Sequence, residues 1–349
     1  MPYFRPEIKA IDGYTPGEQP AGDDVVKLNT NENPYRMSEM VERAIVDAAA
    51  RGLEKYPQAT ADTFRQRAAE VFDIPGPDWV LCGNGSDDIL TIVTRTLVGQ
   101  DQRLRLPYPS YILYKTLAQL QGARSEEIHF RPDWTLGEDF AQGDDSLRLV
   151  FLPNPNSPSG TVVSRESILE LADRLPCPLL VDEAYADFAE FNCLDLVQEN
   201  EKIMVSRTLS KSYALAGLRF GYLVAQPHMI EQFMKVKDSY NCDALSIAGA
   251  TAAINDQAWL AENRQKILAG RDRLTRALRS LGFDVVDSQA NFVWATHPSL
   301  SLQPIFKRLK QDRVFVRYMV YTEWGEGLRI SVGTDAQLDR CLDRLRAAM

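Results

Sequence analysis

Apolar positions along this chain fall into two alternating registers. Short, mainly apolar runs at Trp79–Cys82, Leu147–Leu152, Leu179–Val181, Ile203–Ser206 and Phe220–Ala225 have the length of strands covered on both faces. Between several of them, apolar residues recur at helical spacing. Ile89, Ile92, Val93, Thr96 and Leu97 follow a turn at Gly83–Gly85, and Ile168, Leu169, Ala172 and Leu175 follow the second run. Met40, Val41, Ala44, Ile45 and Ala48 predict a further helix over 39–51. Strands that alternate with helices predict an α/β fold, a mostly parallel sheet between helical layers.

The pattern changes in the last third. Residues 257–281 read as one long charged helix. Strand-like runs at Phe283–Val286, Asn291–Ala295, Val314–Arg317 and Leu328–Val332 then interleave with a helix near 303–311 and a final helix from Asp335. That order describes a smaller α+β module. Residues 1–38, rich in Pro, Gly, Asn and Glu, read as an extended arm. The expected division is an arm over 1–38, a large domain over 39–245 and a small domain over 246–349.

Composition narrows the classes of function. A net charge of −9 on 349 residues speaks against a nucleic-acid surface, which needs clustered Lys and Arg. No apolar run approaches the roughly 20 residues of a membrane span. The first 30 residues hold no apolar signal core, so a cytoplasmic location is expected. The five cysteines and three histidines are scattered without metal-ligand spacing, which fits a reducing compartment and predicts no metal site.

The densest chemistry lies between residues 179 and 220. Lys211 stands among Ser210, Ser212, Ala214 and Ala216, eight positions before Arg219. The run at 179–181 ends in Asp182, with Tyr185 three residues on. Singly, these residues are ordinary: a lysine is usually a solvated charge, an aspartate closing a strand caps the next segment, and a tyrosine packs. Together, an amine, a carboxylate, a phenol and a guanidinium form the set that holds pyridoxal 5′-phosphate. The amine attaches the cofactor aldehyde, the carboxylate keeps the ring nitrogen protonated, the phenol bonds O3′, and the guanidinium binds phosphate.

The chain resembles the fold-type I pyridoxal-phosphate-dependent aminotransferases and, within them, the histidinol-phosphate aminotransferases. Eight markers in order carry the resemblance: Leu28–Pro34, Lys55–Pro57, Gly83–Asp88, Pro109–Tyr111, Asn154–Gly160, Asp182–Tyr185, the Lys211 segment and Gly327–Gly333. The resemblance implies catalytic roles for Lys211, Asp182 and Tyr185, with Lys211 also moving the substrate proton. It implies a phosphate site from Gly85, Ser86 and Asp87 at a helix start, with Asp87 acting through its backbone N–H or as a helix cap. Thr208, Ser210 and Arg219 would complete that site. Tyr111 would stack on the ring, and Tyr56 would reach the phosphate of a partner subunit. Where the family commonly has asparagine before Pro-Thr-Gly, this chain has Ser157. Either that serine contacts O3′ or Asn156 does, and the expectation falls on Asn156. Substrate contacts are expected from Tyr14, Asn31, Arg317 and Arg329, the two arginines matching anionic groups. The arm would pack on the small domain.

The activity so implied is transfer of an amino group between L-histidinol phosphate and 2-oxoglutarate, in histidine synthesis, by a homodimer with shared active sites. An aromatic amino-acid aminotransferase or an amino-acid phosphate decarboxylase would use much the same residues. A pyridoxal-phosphate-binding regulator is disfavoured by the negative charge and by the lack of an appended DNA-binding segment.

Overall fold

A computed structural model describes residues 3–11, 13, 17–22 and 24–349. The chain enters through α1 (Pro6–Ala10) and β1 (Val26–Lys27), then α2 (Glu39–Ala50) and α3 (Asp62–Val71). Next come β2 (Val80–Gly83), α4 (Ser86–Leu97), β3 (Arg103–Tyr108), α5 (Leu113–Leu120) and β4 (Arg124–His129). They are followed by β5 (Leu147–Pro153), α6 (Arg165–Arg174), β6 (Leu179–Asp182), α7 (Leu196–Glu199), β7 (Ile203–Thr208), β8 (Gly221–Val224), α8 (Pro227–Met234) and α9 (Ala244–Asn255).

Strands β2 to β8 form one seven-stranded sheet in the order β2-β8-β7-β6-β5-β3-β4. The pairs from β7 to β4 are parallel, and β8 runs against both of its neighbours. Side chains alternate across this sheet. Val80, Cys82, Val150, Leu152, Leu179 and Val181 enter a layer with residues of α2, α3, α6 and α9. Leu81, Leu149, Phe151, Leu180 and Met204 enter the opposite layer, with residues of α4, α5 and α8. The expected α/β architecture is therefore present.

Strands β3 and β4 are absent from the sequence reading because their pattern is polar. Parallel pairing sets Arg105 opposite Glu126, and both Arg103 and Arg105 reach that carboxylate, at 2.9 and 2.8 Å. The buried charge of Arg105 is thus paired rather than replaced by an apolar residue. Helix α9 escapes notice for the opposite reason: it is apolar on every side and shows no amphipathic stripe. Its Ile247, Ala250, Ala253 and Ile254 belong to the core of the large unit. Helix α9, beyond the expected boundary at 245, thus packs with the large unit.

The smaller unit comprises α10 (Gln257–Ser280), β9 (Asp284–Val285), β10 (Phe292–Thr296), α11 (Leu302–Gln311), β11 (Val314–Phe315), β12 (Arg317–Tyr321), β13 (Gly325–Ser331) and α12 (Asp335–Ala348). Four of these strands form an antiparallel sheet, β12-β13-β10-β9. The single run expected at Val314–Arg317 is divided. β11 pairs with β1, while β12 begins at Arg317 and pairs with β13. The arm touches both units. Leu28 is buried in the smaller unit's core, and Arg5 donates to the carbonyl of Leu120, at the end of α5 in the larger unit.

Candidate active site

Strands β2, β5, β6 and β7 end at one edge of the sheet, where open α/β folds form ligand crevices. A cavity of about 610 Å³ lies there, closed from the other side by β12, β13 and the residues after β1. Asp182 is the last residue of β6, on the face shared with Leu180 and turned toward α5. Its Oδ2 accepts from the Tyr114 hydroxyl at 2.7 Å, and its Oδ1 accepts from Ser206 Oγ and the Ala184 N–H, each at 3.2 Å. Burial pushes the Asp182 carboxyl up, and the Tyr114 bond offsets part of that shift. Such a carboxylate at a cavity wall calls for a cationic partner.

Lys211 follows β7. Its Nζ donates to the Thr30 carbonyl at 3.2 Å and lies 5.7 Å from the centre of the Tyr185 ring. The Tyr185 hydroxyl accepts from Asn31 Nδ2 at 3.0 Å, and Asn31 is held in turn by Ser331 Oγ at 3.0 Å. The segment carrying Lys211 is anchored from the opposite face of the sheet. Buried Arg207 bridges Glu183 at 2.8 Å and Asp187 at 2.7 Å, and Asp187 also accepts from Ser212. Burial alone disfavours the Arg207 charge, but Glu183 and Asp187 outweigh it and hold the guanidinium protonated.

Ser86, Asp87, Thr208, Ser210 and Arg219 line one end of the same cavity. Here α4 presents its N-terminal N–H groups, which favour an anion. Two glycines permit the close packing. Gly85 has φ of 85°, and a Cβ there would sit 2.6 Å from Arg219 Nη2; a Cβ on Gly221 would sit 2.6 Å from the Ser86 nitrogen. Asp87 is not the cap. Its Oδ1 accepts from the Tyr111 hydroxyl at 3.3 Å and its Oδ2 lies 3.6 Å from Arg219. The cap position is Gly85, with no side-chain capping bond, while Asp88 accepts from the Asn84 N–H at 2.9 Å and ties down the loop before the helix.

At the other end, antiparallel register sets Arg317 directly across from Arg329. Arg329 donates to Ser157 Oγ at 2.8 Å and to the Asn29 carbonyl at 3.1 Å, and its buried Nε has no partner among the described residues. Arg317 has neither a hydrogen bond nor an ion pair there. Two like charges opposed on one sheet face repel, a cost that an anion bound between them would relieve.

Most of the expected residues therefore converge: Asn31, Ser86, Asp87, Tyr111, Asp182, Tyr185, Thr208, Ser210, Lys211, Arg219, Arg317 and Arg329 all line the cavity. Gly85 lies behind Arg219. Asn156 does not line it, contrary to the expectation. Its Nδ2 donates to the Pro109 carbonyl and Ser159 Oγ, because the loop turns Ser157 inward instead. Tyr56 is also outside the cavity, 81% exposed and stacked on Tyr240 at 4.4 Å. Tyr14 lies outside the described residues. Tyr114 and Ser206, the donors to Asp182, were not foreseen. The only sequence signal for Tyr114 was its position one helical turn after Tyr111, which makes it look like a packing residue.

The residues present fit pyridoxal phosphate: an amine, a buried carboxylate needing a cation, a phenol and an anion cradle border one cavity. Comparison with known proteins agrees. Residues 23–345 match the aminotransferase class I and II family. A histidinol-phosphate aminotransferase of Rhodopirellula baltica is 56% identical over 99% of this chain and 96% of its own length. Another, from Geotalea daltonii, is 40% identical over 97% of each chain. The fold matches a Sinorhizobium meliloti histidinol-phosphate aminotransferase crystallised with pyridoxal 5′-phosphate, at TM-score 0.89 and 24% identity, covering 100% of this chain and 99% of that one. A Thermus thermophilus aspartate aminotransferase double mutant shares the fold at TM-score 0.85, with 20% identity and full coverage of both chains. With a cavity of this chemistry and a family match over nearly its whole length, the chain belongs to the class I and II aminotransferases.

Proposed function

We propose that this enzyme transfers an amino group between L-histidinol phosphate and 2-oxoglutarate, using pyridoxal 5′-phosphate. The observation that carries this reading is the Arg317–Arg329 pair across β12 and β13. Histidinol phosphate brings one phosphate and no carboxylate, whereas glutamate and 2-oxoglutarate bring two carboxylates. Two adjacent guanidiniums, one tethered and one without a partner among the described residues, would serve both kinds of anion.

Bound at the cavity floor, the cofactor supplies an aldehyde that takes up the amino group and a protonated ring that accepts electron density. Asp182 holds the proton on the ring nitrogen by its charge. Tyr185 would donate at O3′ while accepting from Asn31, and Ser157, which lines the cavity, would stand there in place of Asn156. The N–H groups of α4, with Thr208, Ser210 and Arg219, would hold the phosphate, and Asp87, whose carboxylate accepts from Tyr111, would contribute through its backbone N–H. Lys211 would hold the cofactor by its amine and, once freed, would move the proton to and from the substrate Cα.

The reading includes a homodimer with shared sites, in the cytoplasm. Tyr56 is exposed and stacked on the exposed Tyr240, and Met40, Val46 and Leu53 in the preceding stretch of chain are exposed as well; such apolar surface suits a second copy. From there Tyr56 would reach the partner's phosphate site. Five free, buried cysteines fit a reducing compartment, and no described helix is long and apolar enough to cross a membrane.

The test is product analysis by mass spectrometry. Purified enzyme is given 2-oxoglutarate with L-histidinol phosphate, phenylalanine or threonine phosphate. Glutamate formed fastest from histidinol phosphate supports the reading. Comparable turnover of phenylalanine favours an aromatic aminotransferase, and release of carbon dioxide from threonine phosphate favours a decarboxylase.

A further inference from the structure

We propose that Tyr114 is a positioning residue for the cofactor ring: its hydroxyl fixes the Asp182 carboxylate so that one oxygen lone pair is left for the ring nitrogen. The inference rests on the reading of Asp182 as that nitrogen's partner.

A carboxylate offers about four lone-pair sites on two oxygens. In this protein three of them are taken. Oδ1 receives Ser206 Oγ and the Ala184 N–H, both at 3.2 Å, and is filled. Among the described residues, Oδ2 receives only the Tyr114 hydroxyl, at 2.7 Å. One acceptor site remains, on Oδ2, and Asp182 lines the cavity. The shortest bond of the three is therefore on the oxygen that is left to meet the ring.

Tyr114 is rigid enough for the task. It is fully buried, its ring packs 4.7 Å from Phe151, and Tyr111 meets it edge-on at 5.6 Å. Tyr111 borders the cavity as well. Through Tyr114, the residue suited to cover the ring face and the residue suited to hold its nitrogen are set from one short stretch, the loop before α5 and its first turn. Burial and the Asp182 charge both keep the Tyr114 phenol protonated, so it acts only as donor toward the carboxylate.

The experiment compares two ligands on the full-length apoprotein: pyridoxal phosphate and its analogue with C–H in place of the ring nitrogen. Dissociation constants are measured by fluorescence quenching, beside the melting temperature. Wild type should prefer pyridoxal phosphate, and Asp182→Asn should abolish the preference. Tyr114→Phe should reduce the preference by roughly tenfold to a hundredfold, the scale of one lost hydrogen bond to a charged group. A merely structural tyrosine would lower the melting temperature and weaken both ligands alike. An unchanged preference in Tyr114→Phe, with Asp182→Asn still abolishing it, overturns the role of Tyr114. A preference that survives Asp182→Asn overturns the reading of Asp182 and the inference with it.

Discussion

Lys211 and Asp182 sit at the ends of adjacent strands, and the proposed mechanism gives each a different task. Lys211→Ala removes the amine that lies over the Tyr185 ring. We expect the purified variant to lack the yellow colour of attached cofactor, to show no cofactor mass after borohydride reduction, and to lose nearly all turnover. Asp182→Asn keeps the shape and removes the charge. A kcat lower by about 10²–10³, or about 2.7–4 kcal/mol, is expected with an unchanged circular dichroism spectrum. The pH response follows from burial. Because burial raises the Asp182 carboxyl, the charged form that pairs with the ring nitrogen is present at high pH and is lost as pH falls. The loss begins above the ordinary carboxylate range. Cofactor affinity should therefore weaken on the acid side in wild type, and titration of Asp182→Asn should lack that limb.

Elements decide which residues become neighbours. Arg317 and Arg329 are twelve positions apart, a spacing that says nothing of a shared face until the β12–β13 hairpin closes. Arg317→Ala should lower kcat/KM for L-histidinol phosphate by roughly ten- to a hundredfold, about 1.5–3 kcal/mol, and leave phenylalanine far less affected. Arg329→Ala, which also frees Ser157 and the Asn29 carbonyl, should harm every substrate. Equal losses for both donors in Arg317→Ala would withdraw the case for a phosphorylated substrate. The junction of β8 with α4 is similarly unforgiving. A Cβ at Gly221 meets backbone on both sides, Ser86 N at 2.6 Å and Arg207 O at 3.0 Å. Gly221→Ala should cost about 1–3 kcal/mol in urea unfolding and weaken cofactor retention, since it displaces the helix start that holds the phosphate.

Across the whole molecule, Tyr56 tests whether sites are shared between subunits. Mixing Tyr56→Phe with Lys211→Ala subunits should give hybrids in which one site carries both lesions and the other neither. Activity should rise on mixing; its failure to rise, with subunit exchange proven by mass spectrometry, would confine Tyr56 to its own chain. What the sequence determined by itself was local. Lys211 among small hydroxylic residues, Asp182 closing an apolar run and Gly85 opening a helix are all contained within a few positions, where backbone and side-chain preferences act directly. The buried strands β2, β5, β6, β7 and β8 were equally legible, because burial on both faces leaves a continuous apolar run. What only the tertiary structure decided depends on partners remote in sequence. Ion pairing to Glu126 lets polar β3 and β4 join the sheet, burial against the large unit claims α9, and strand register opposes the arginines. The loop at Ser157 turns that residue rather than Asn156 to the cavity, and Tyr114 finds Asp182 across 68 residues. Each of these is fixed by partners brought together from distant parts of the chain, a property that no short stretch carries.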